Sequence, residues 1–354
     1  MQTEQDEKPG HDLVLSIDRR VQYIAYRELL AGMLENKAYS ASAVVLDVKT
    51  GEVLAMVNTP SYNPNNRPTH KSDVYRNRAV TDTFEPGSTI KPFTVAIGLK
   101  SGKFKPDTVI DTTPGWYRVG HNVVKDHKNN GPLTVTEVLQ LSSNVGVSKI
   151  ILSIQPPDRL WNLLHKIGFG ETTKIGFPGE QSGVMTKHDP WGSFVLATMS
   201  FGYGLSVTCL QLAQAYAILA NEGVKYPVSL IRQDKLPTGE RVMDARVTRQ
   251  ILYMMEAVLN SKDGTGKMAR VPGYRVAGKT GTAEMVGQHG YQKHRNTSTF
   301  VGIAPLTNPR FIVAVVMHDP QGKNTFGGEV SGPVFSHIME EVLRLYDVPP
   351  DGLS

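Results

Sequence analysis

The sequence predicts an α+β fold: one antiparallel sheet built from both ends of the chain, with a helical region inserted between its strands. Three observations predict it. Two short apolar runs stand early, Ala43–Val48 and Val53–Val57. The middle of the chain, roughly residues 88 to 260, reads as helices joined by loops. Three further β-rich runs, Tyr274–Ala277, Thr299–Ile303 and Phe311–Met317, precede a closing helix over Val334–Tyr346.

The elements follow in order. Residues 17–38 form a helix that Asp18 can cap, with Val21, Ile24, Ala25, Leu29, Leu30 and Met33 at helical spacing. The first two apolar runs flank Lys49-Thr50-Gly51-Glu52 and make a β-hairpin. A loop rich in Pro and Asn follows, from Thr59 to Thr69. Ala213–Ala220 and Thr248–Leu259 are clear helical stretches in the middle region. No repeat or low-complexity tract is visible.

The bulk numbers exclude several classes. The chain has 354 residues, 40% hydrophobic and 20% charged, which suits a globular protein with a sizeable core. Its net charge of +5 is spread along the chain, so no nucleic-acid-binding tail stands out. The single cysteine, Cys209, lies in an apolar stretch and reads as a small core hydrophobe. One cysteine allows no internal disulfide and no cysteine metal cluster, and the ten histidines show no metal-ligand spacing. No metal or cofactor is therefore expected. No apolar run approaches the roughly 18 residues of a membrane span, and the polar start, Met1–Gly10, lacks a signal-peptide core.

Chemistry enters at Ser88-Thr89-Ile90-Lys91. Ile90, Phe93, Val95, Ala96, Ile97 and Leu99 then cover most of a helix circumference, so this helix is expected at the domain centre. Pro92 falls in its first turn, where a missing N–H costs nothing. Residues three apart share a helical face, so the Lys91 amine can reach the Ser88 hydroxyl. Burial lowers a lysine's pKa, and a neutral amine can take the serine proton. The pattern alone is weak, since about one match per chain of this size arises by chance from ordinary residue frequencies.

The second motif, Ser142-Ser143-Asn144, follows the helical stretch Val135–Leu141. Ser142 can relay a proton and Asn144 can bind a substrate amide; taken alone, the cluster reads as a polar helix C-cap. A second Ser-x-Asn, Ser61-Tyr62-Asn63, lies in the turn-rich loop and is discounted. The third motif is Lys279-Thr280-Gly281-Thr282. On an edge strand Gly281 lets another backbone come close. Lys279 adds charge that helps keep Lys91 neutral, and Thr280 and Thr282 offer hydroxyls to a carboxylate. A second copy, Lys49-Thr50-Gly51, reads as the hairpin turn. The order Ser-x-x-Lys, Ser-x-Asn, Lys-Thr-Gly is the signature of penicillin-binding proteins and serine β-lactamases.

A rival pattern overlaps the third motif. Gly273-Tyr274-Arg275-Val276-Ala277-Gly278-Lys279-Thr280 fits the phosphate-loop spacing, and Asp319 after Phe311–Met317 fits a magnesium-binding acid. Such a loop must follow a buried strand and open a helix. Here Ala269-Arg270-Val271-Pro272 precedes it, and Gly281, Gly287, His289 and Gly290 follow, so a nucleotide hydrolase is disfavoured.

Longer stretches carry a family resemblance. Arg76-Asn77-Arg78-Ala79-Val80, Phe84-Glu85-Pro86-Gly87-Ser88-Thr89-Ile90-Lys91-Pro92-Phe93, Ser142-Ser143-Asn144-Val145-Gly146 and Gly176-Phe177-Pro178-Gly179-Glu180 resemble class B penicillin-binding proteins. So do Gly202-Tyr203-Gly204-Leu205-Ser206-Val207-Thr208 and Phe326-Gly327-Gly328. The resemblance runs from about Asp12 to Pro350 and points to the septal enzymes of Gram-negative bacteria. It implies a penicillin-recognising, β-lactamase-like fold, with helices flanking an antiparallel sheet and an all-helical subdomain beside it. It implies a D,D-transpeptidase of cell division. Ser88 would acylate at the D-Ala-D-Ala end of peptidoglycan stem peptides, and the backbone N–H groups of Ser88 and Thr282 would form the oxyanion hole.

The resemblance also implies partners and a place. Stem peptides and β-lactams would bind, divisome membrane proteins would assemble with the chain, and no nucleic acid would. The site would face the periplasm at the inner membrane. The family's membrane anchor and pedestal are not seen here, so a soluble piece is expected. Residues 1–40 would be the end of the pedestal and 41–350 the transpeptidase domain. Tyr203 and Phe326 are expected to wall the cleft, with ordinary core packing as the alternative for each. Glu284 stands where relatives often carry a basic residue. A β-lactamase would share the three motifs and need a water-activating glutamate, for which Glu180 is the candidate. A β-lactam sensor is the non-catalytic alternative.

Overall fold

The computed structural model describes residues 10–67, 72–186, 191–287 and 290–352. Residues 1–9, the end of the expected Thr59–Thr69 loop and His289 lie outside these. Asp18 caps the first helix, α1 (Arg19–Glu35), by accepting from the Arg20 N–H. Val21, Ala25, Leu29 and Gly32 form its buried stripe. The helix is shorter than expected at both ends, because Asp18 stops it at the front and Asn36 closes it behind.

The sheet has five strands: β1 (Ser40–Asp47), β2 (Val53–Thr59), β3 (Ala277–Gly287), β4 (Gly290–Ala304) and β5 (Phe311–His318). Their spatial order is β3-β4-β5-β1-β2, and all neighbours are antiparallel. Both chain ends therefore supply the sheet, as expected. The register sets Ser40 against His318 and Lys279 against Val301. The expected strand Tyr274–Ala277 is displaced. Pro272 and Gly273 make a turn, and pairing starts at Ala277 opposite Ile303.

Every residue of β1 and β5 is buried, because both faces of the sheet are covered. On one face Ala41, Ala43, Val45, Val313, Val315 and Met317 pack with α1 and the last helix. On the other, Val44, Leu46, Ile312, Ala314 and Val316 join the helical region. This double burial explains why Phe311–Met317 is a continuous apolar run rather than an alternating one.

The helical region holds α2 (Lys91–Lys100), α3 (Val135–Gln140), α4 (Asn144–Leu152), α5 (Cys209–Ala220) and α6 (Ala245–Asn260). Nine of the ten residues of α2 are buried, so it is the central helix its composition predicts. The region is less helical than expected. Val109–Asp111 pairs with Pro132–Thr134, and Trp116–Val119 with Asn122–Lys125, as small ribbons. The closing helix, α7 (Gly327–Leu345), starts seven residues earlier than predicted and contains Pro333. Cys209 is buried, and burial pushes its thiol up to about 12, as suits a core residue. Among the described residues no helix is long and apolar enough to cross a membrane.

Candidate active site

Ser88 lies in a tight 3-10 turn, Gly87–Ile90, where the Lys91 N–H closes onto the Ser88 carbonyl. Side chains three apart eclipse in such a turn, so Ser88 and Lys91 are stacked by local geometry. Lys91 then opens α2, and its amine is fully buried. It donates to the Ser142 carbonyl and, at 3.0 Å, to the Ser142 hydroxyl. Burial first, and then the charge of Lys279, hold its pKa well below the ordinary lysine range, with Asp126 opposing.

Ser142 sits just past the C-terminal end of α3. The Ser143 N–H bonds the Val138 carbonyl and the Ser142 N–H bonds Leu139, the two bonds of a Schellman ending. That ending needs a left-handed residue, usually glycine, and Ser142 takes it with φ 58. A serine there costs about 1–3 kcal/mol. Its hydroxyl is the meeting point of two cations, since Lys279 Nζ also donates to it at 3.0 Å.

Taken alone, Ser142-Ser143-Asn144 reads as a C-cap, and this holds for Ser142 but not for its two followers. Ser142 closes α3, but Ser143 caps the start of α4 by accepting from the Gly146 N–H, and Asn144 is the first residue of α4. Asp126, which the sequence reading missed, holds this junction. One oxygen accepts from the Asn144 and Val145 N–H groups, and the other from the Ser143 hydroxyl. The Asn144 side-chain N–H donates to the Lys125 carbonyl at 3.0 Å.

Lys279 and its followers lie on the sheet's edge strand, β3. Lys279 is fully buried, and burial lowers its pKa to about 7. Thr280 and Thr282, two apart and hence on one face, line a cleft of about 570 Å³. Ser88, Ser142, Asp126, Thr265 and Phe326 line it too. Thr280 donates to the Thr265 hydroxyl at 3.0 Å, and the Thr282 hydroxyl accepts from the Gly327 N–H. Gly281 backs the serine turn, for a Cβ there would lie 2.9 Å from the Pro86 carbonyl oxygen.

Of the two expected wall residues, Phe326 lines the cleft and stands edge-on to His127, with ring centres 5.7 Å apart. Tyr203 does not line it. Its ring packs between Phe201 and Tyr291. Glu284 is exposed on β3, next to a register shift. Glu180 accepts from Thr173 in a loop and is absent from the cleft lining. The phosphate-loop reading fails on the same geometry, because Lys279 and Thr280 lie inside a strand that continues to Gly287 rather than opening a helix. Among the described residues no group of acids, histidines and cysteine could hold a metal.

The family profile for the penicillin-binding protein transpeptidase domain matches residues 41–340. The chain belongs to this family. It is 44% identical over 347 residues to the probable peptidoglycan D,D-transpeptidase PbpC of Pseudomonas aeruginosa, covering 98% of this chain and 61% of that one. It is 45% identical over 349 residues to the peptidoglycan D,D-transpeptidase FtsI of Escherichia coli, covering 99% of this chain and 59% of the relative. The transpeptidase domain of Burkholderia pseudomallei penicillin-binding protein 3 superposes with a TM-score of 0.88 at 42% identity, covering 97% of this chain and 99% of that one. The chain thus spans about three fifths of the length of these two curated relatives. The family's fold, an antiparallel sheet flanked by helices beside a helical region, is the one described above.

Proposed function

We propose that this transpeptidase domain cross-links peptidoglycan through an acyl-enzyme on Ser88, as a D,D-transpeptidase of cell division. One observation carries the reading: Lys91 and Lys279 converge on the Ser142 hydroxyl directly behind a cleft lined by Ser88, Thr280 and Thr282. The family membership and the named activities of its relatives support it.

The chemistry follows from the groups present. Neutral Lys91 takes the proton of Ser88, and Oγ attacks the penultimate D-Ala carbonyl. The Ser88 and Thr282 N–H groups hold the oxyanion. Collapse breaks the C–N bond, and D-Ala leaves as an amine after taking a proton passed through Ser142 from the lysine pair. An acceptor amine then attacks the ester, gives its proton to Lys91, and Ser88 Oγ leaves and is reprotonated. Thr280 and Thr282 receive the donor carboxylate, the Gly281 edge pairs with the donor backbone, and Asn144 binds its amide. Phe326 walls the cleft.

Residues 41–350 carry this reaction and 1–40 lead into it. The reading puts the reaction on the periplasmic face of the inner membrane, among membrane proteins of the division machinery, with β-lactams as substrate mimics that trap Ser88. The β-lactamase alternative is disfavoured because Glu180 is engaged away from the cleft. The test is twofold. A peptide ending in D-Ala-D-Ala should release D-Ala, and a penicillin adduct should persist for hours. Adduct loss within seconds would favour the hydrolase, and a stable adduct without D-Ala release would favour a sensor.

A further inference from the structure

We propose that Glu85 is a positioning residue for the Ser88 reaction, fixing the serine turn against strand β3 through one carboxylate oxygen. The inference rests on the function proposed above. Three elements meet at that oxygen. It belongs to the segment that enters the Ser88 turn. It accepts from the Gly204 N–H at 2.8 Å, on the helical side, and from the Tyr291 hydroxyl at 3.0 Å, on the sheet side.

The geometry around it leaves little slack. The Gly87 N–H donates to the Gly202 carbonyl, and a Cβ on Gly202 would lie only 2.1 Å from the Gly87 carbonyl oxygen. On the other side, Gly281 of β3 faces the Pro86 carbonyl oxygen closely enough to exclude a side chain. The turn is therefore wedged between two glycine backbones, and any shift of Glu85 passes to Ser88 three residues on. Tyr291 pairs with Val286 in the β3–β4 ladder, so the Glu85–Tyr291 bond ties the turn to the strand that carries Thr282. The proposed oxyanion donors, the N–H groups of Ser88 and Thr282, sit on the two bodies that Glu85 links.

A packing role alone does not account for a carboxylate here. Among the described residues its second oxygen has no hydrogen-bond partner, and burial raises the group's pKa against the two hydrogen bonds. Among the described residues, the titratable groups facing it are Tyr291 and Tyr203, with Glu284 beyond. None of these is a cation. A half-buried acid with one oxygen shut off from water and unpaired is costly to keep. A carbonyl-type oxygen at this reach sets the turn.

The test separates positioning from folding. Acylation of the wild-type chain and of Glu85→Ala, Glu85→Gln and Tyr291→Phe by a chromogenic β-lactam is followed by stopped flow, resolving affinity from the first-order acylation step. Heat denaturation checks each fold. Glu85→Ala is expected to slow the first-order step by about 10–100-fold, the scale of an ångström misplacement, with affinity little changed. Glu85→Gln keeps the accepting oxygen and should recover acylation to within about threefold of wild type, the size of one neutral hydrogen-bond difference. Tyr291→Phe should show a smaller slowing of the same step, and it tests the idea even if Glu85→Ala fails to fold. Acylation at the wild-type rate in folded Glu85→Ala, or in Tyr291→Phe, overturns the proposal. So does an equal loss in Glu85→Gln and Glu85→Ala. If wild type itself acquires no adduct, the function reading falls instead.

Discussion

The same tripeptide occurs twice in this chain and does two different things. At Lys49-Thr50-Gly51 the backbone turns between β1 and β2. The Lys49 N–H donates to the Asp47 side chain, Thr50 donates to Glu52, and Gly51 takes φ 72 against the Pro227 carbonyl. Lys49 itself is exposed. At Lys279-Thr280-Gly281 the backbone is an edge strand, the lysine is fully buried, and its amine bonds the Ser142 hydroxyl. Ser-x-Asn is doubled in the same way. Asn63 accepts from the Asn65 N–H in an exposed loop, whereas Ser142 stands between two lysines. A short motif acquires chemistry only when its element aims it at other groups.

Substitutions sharpen the contrast, beginning with the largest effect. Lys91→Ala should slow penicillin acylation by about 10²–10⁴-fold, the range of a lost general base, as read by adduct formation over time. Next, Lys279→Ala should slow the same reaction by about 10²-fold, because a charge-assisted bond to Ser142 and the charge that depresses Lys91 both vanish. Lys49→Ala should acylate as wild type does and change stability by less than about 0.5 kcal/mol. Equal effects from the two lysines would erase the distinction drawn here.

Ser142→Gly should split activity from stability. Glycine relieves the left-handed strain and should raise unfolding free energy by about 1 kcal/mol in denaturant titration, while acylation falls. A gentler contrast comes from pH. The folded pKa of Lys279, about 7, lies below the ordinary 10.5 of the unfolded chain. Between those values the unfolded state binds the extra proton, so stability should rise with pH across that window. The rise should shrink in Lys279→Ala and persist in Lys49→Ala, as measured by chemical denaturation at a series of pH values.

Much of the fold was legible because its signals are local. The β1–β2 hairpin, the apolar run of β5 and the buried helix behind Ser88 all follow from short stretches of side chains. The small ribbons between Val109 and Thr134 were not legible, since their residues are mostly exposed and show no alternation. The start of β3 was misplaced because Tyr274, Arg275 and Val276 look like strand residues but belong to a turn. In the candidate site, motif order brought Ser88, Lys91, Ser142 and Lys279 onto one list, and these segments do meet. Asp126 and Thr265 escaped notice, because a lone acid or threonine in a polar loop carries no spacing signal. Tyr203 was expected at the cleft wall, yet aromatic packing with Phe201 and Tyr291 holds it one layer back.

Intact-protein and peptide mass spectrometry after brief exposure to a penicillin tests the central claim most directly, namely that the three segments form one acylating centre. The account predicts a single adduct, located on the peptide containing Ser88 and absent from Ser88→Ala. An adduct on any other residue, or none on the folded wild-type chain, would contradict it.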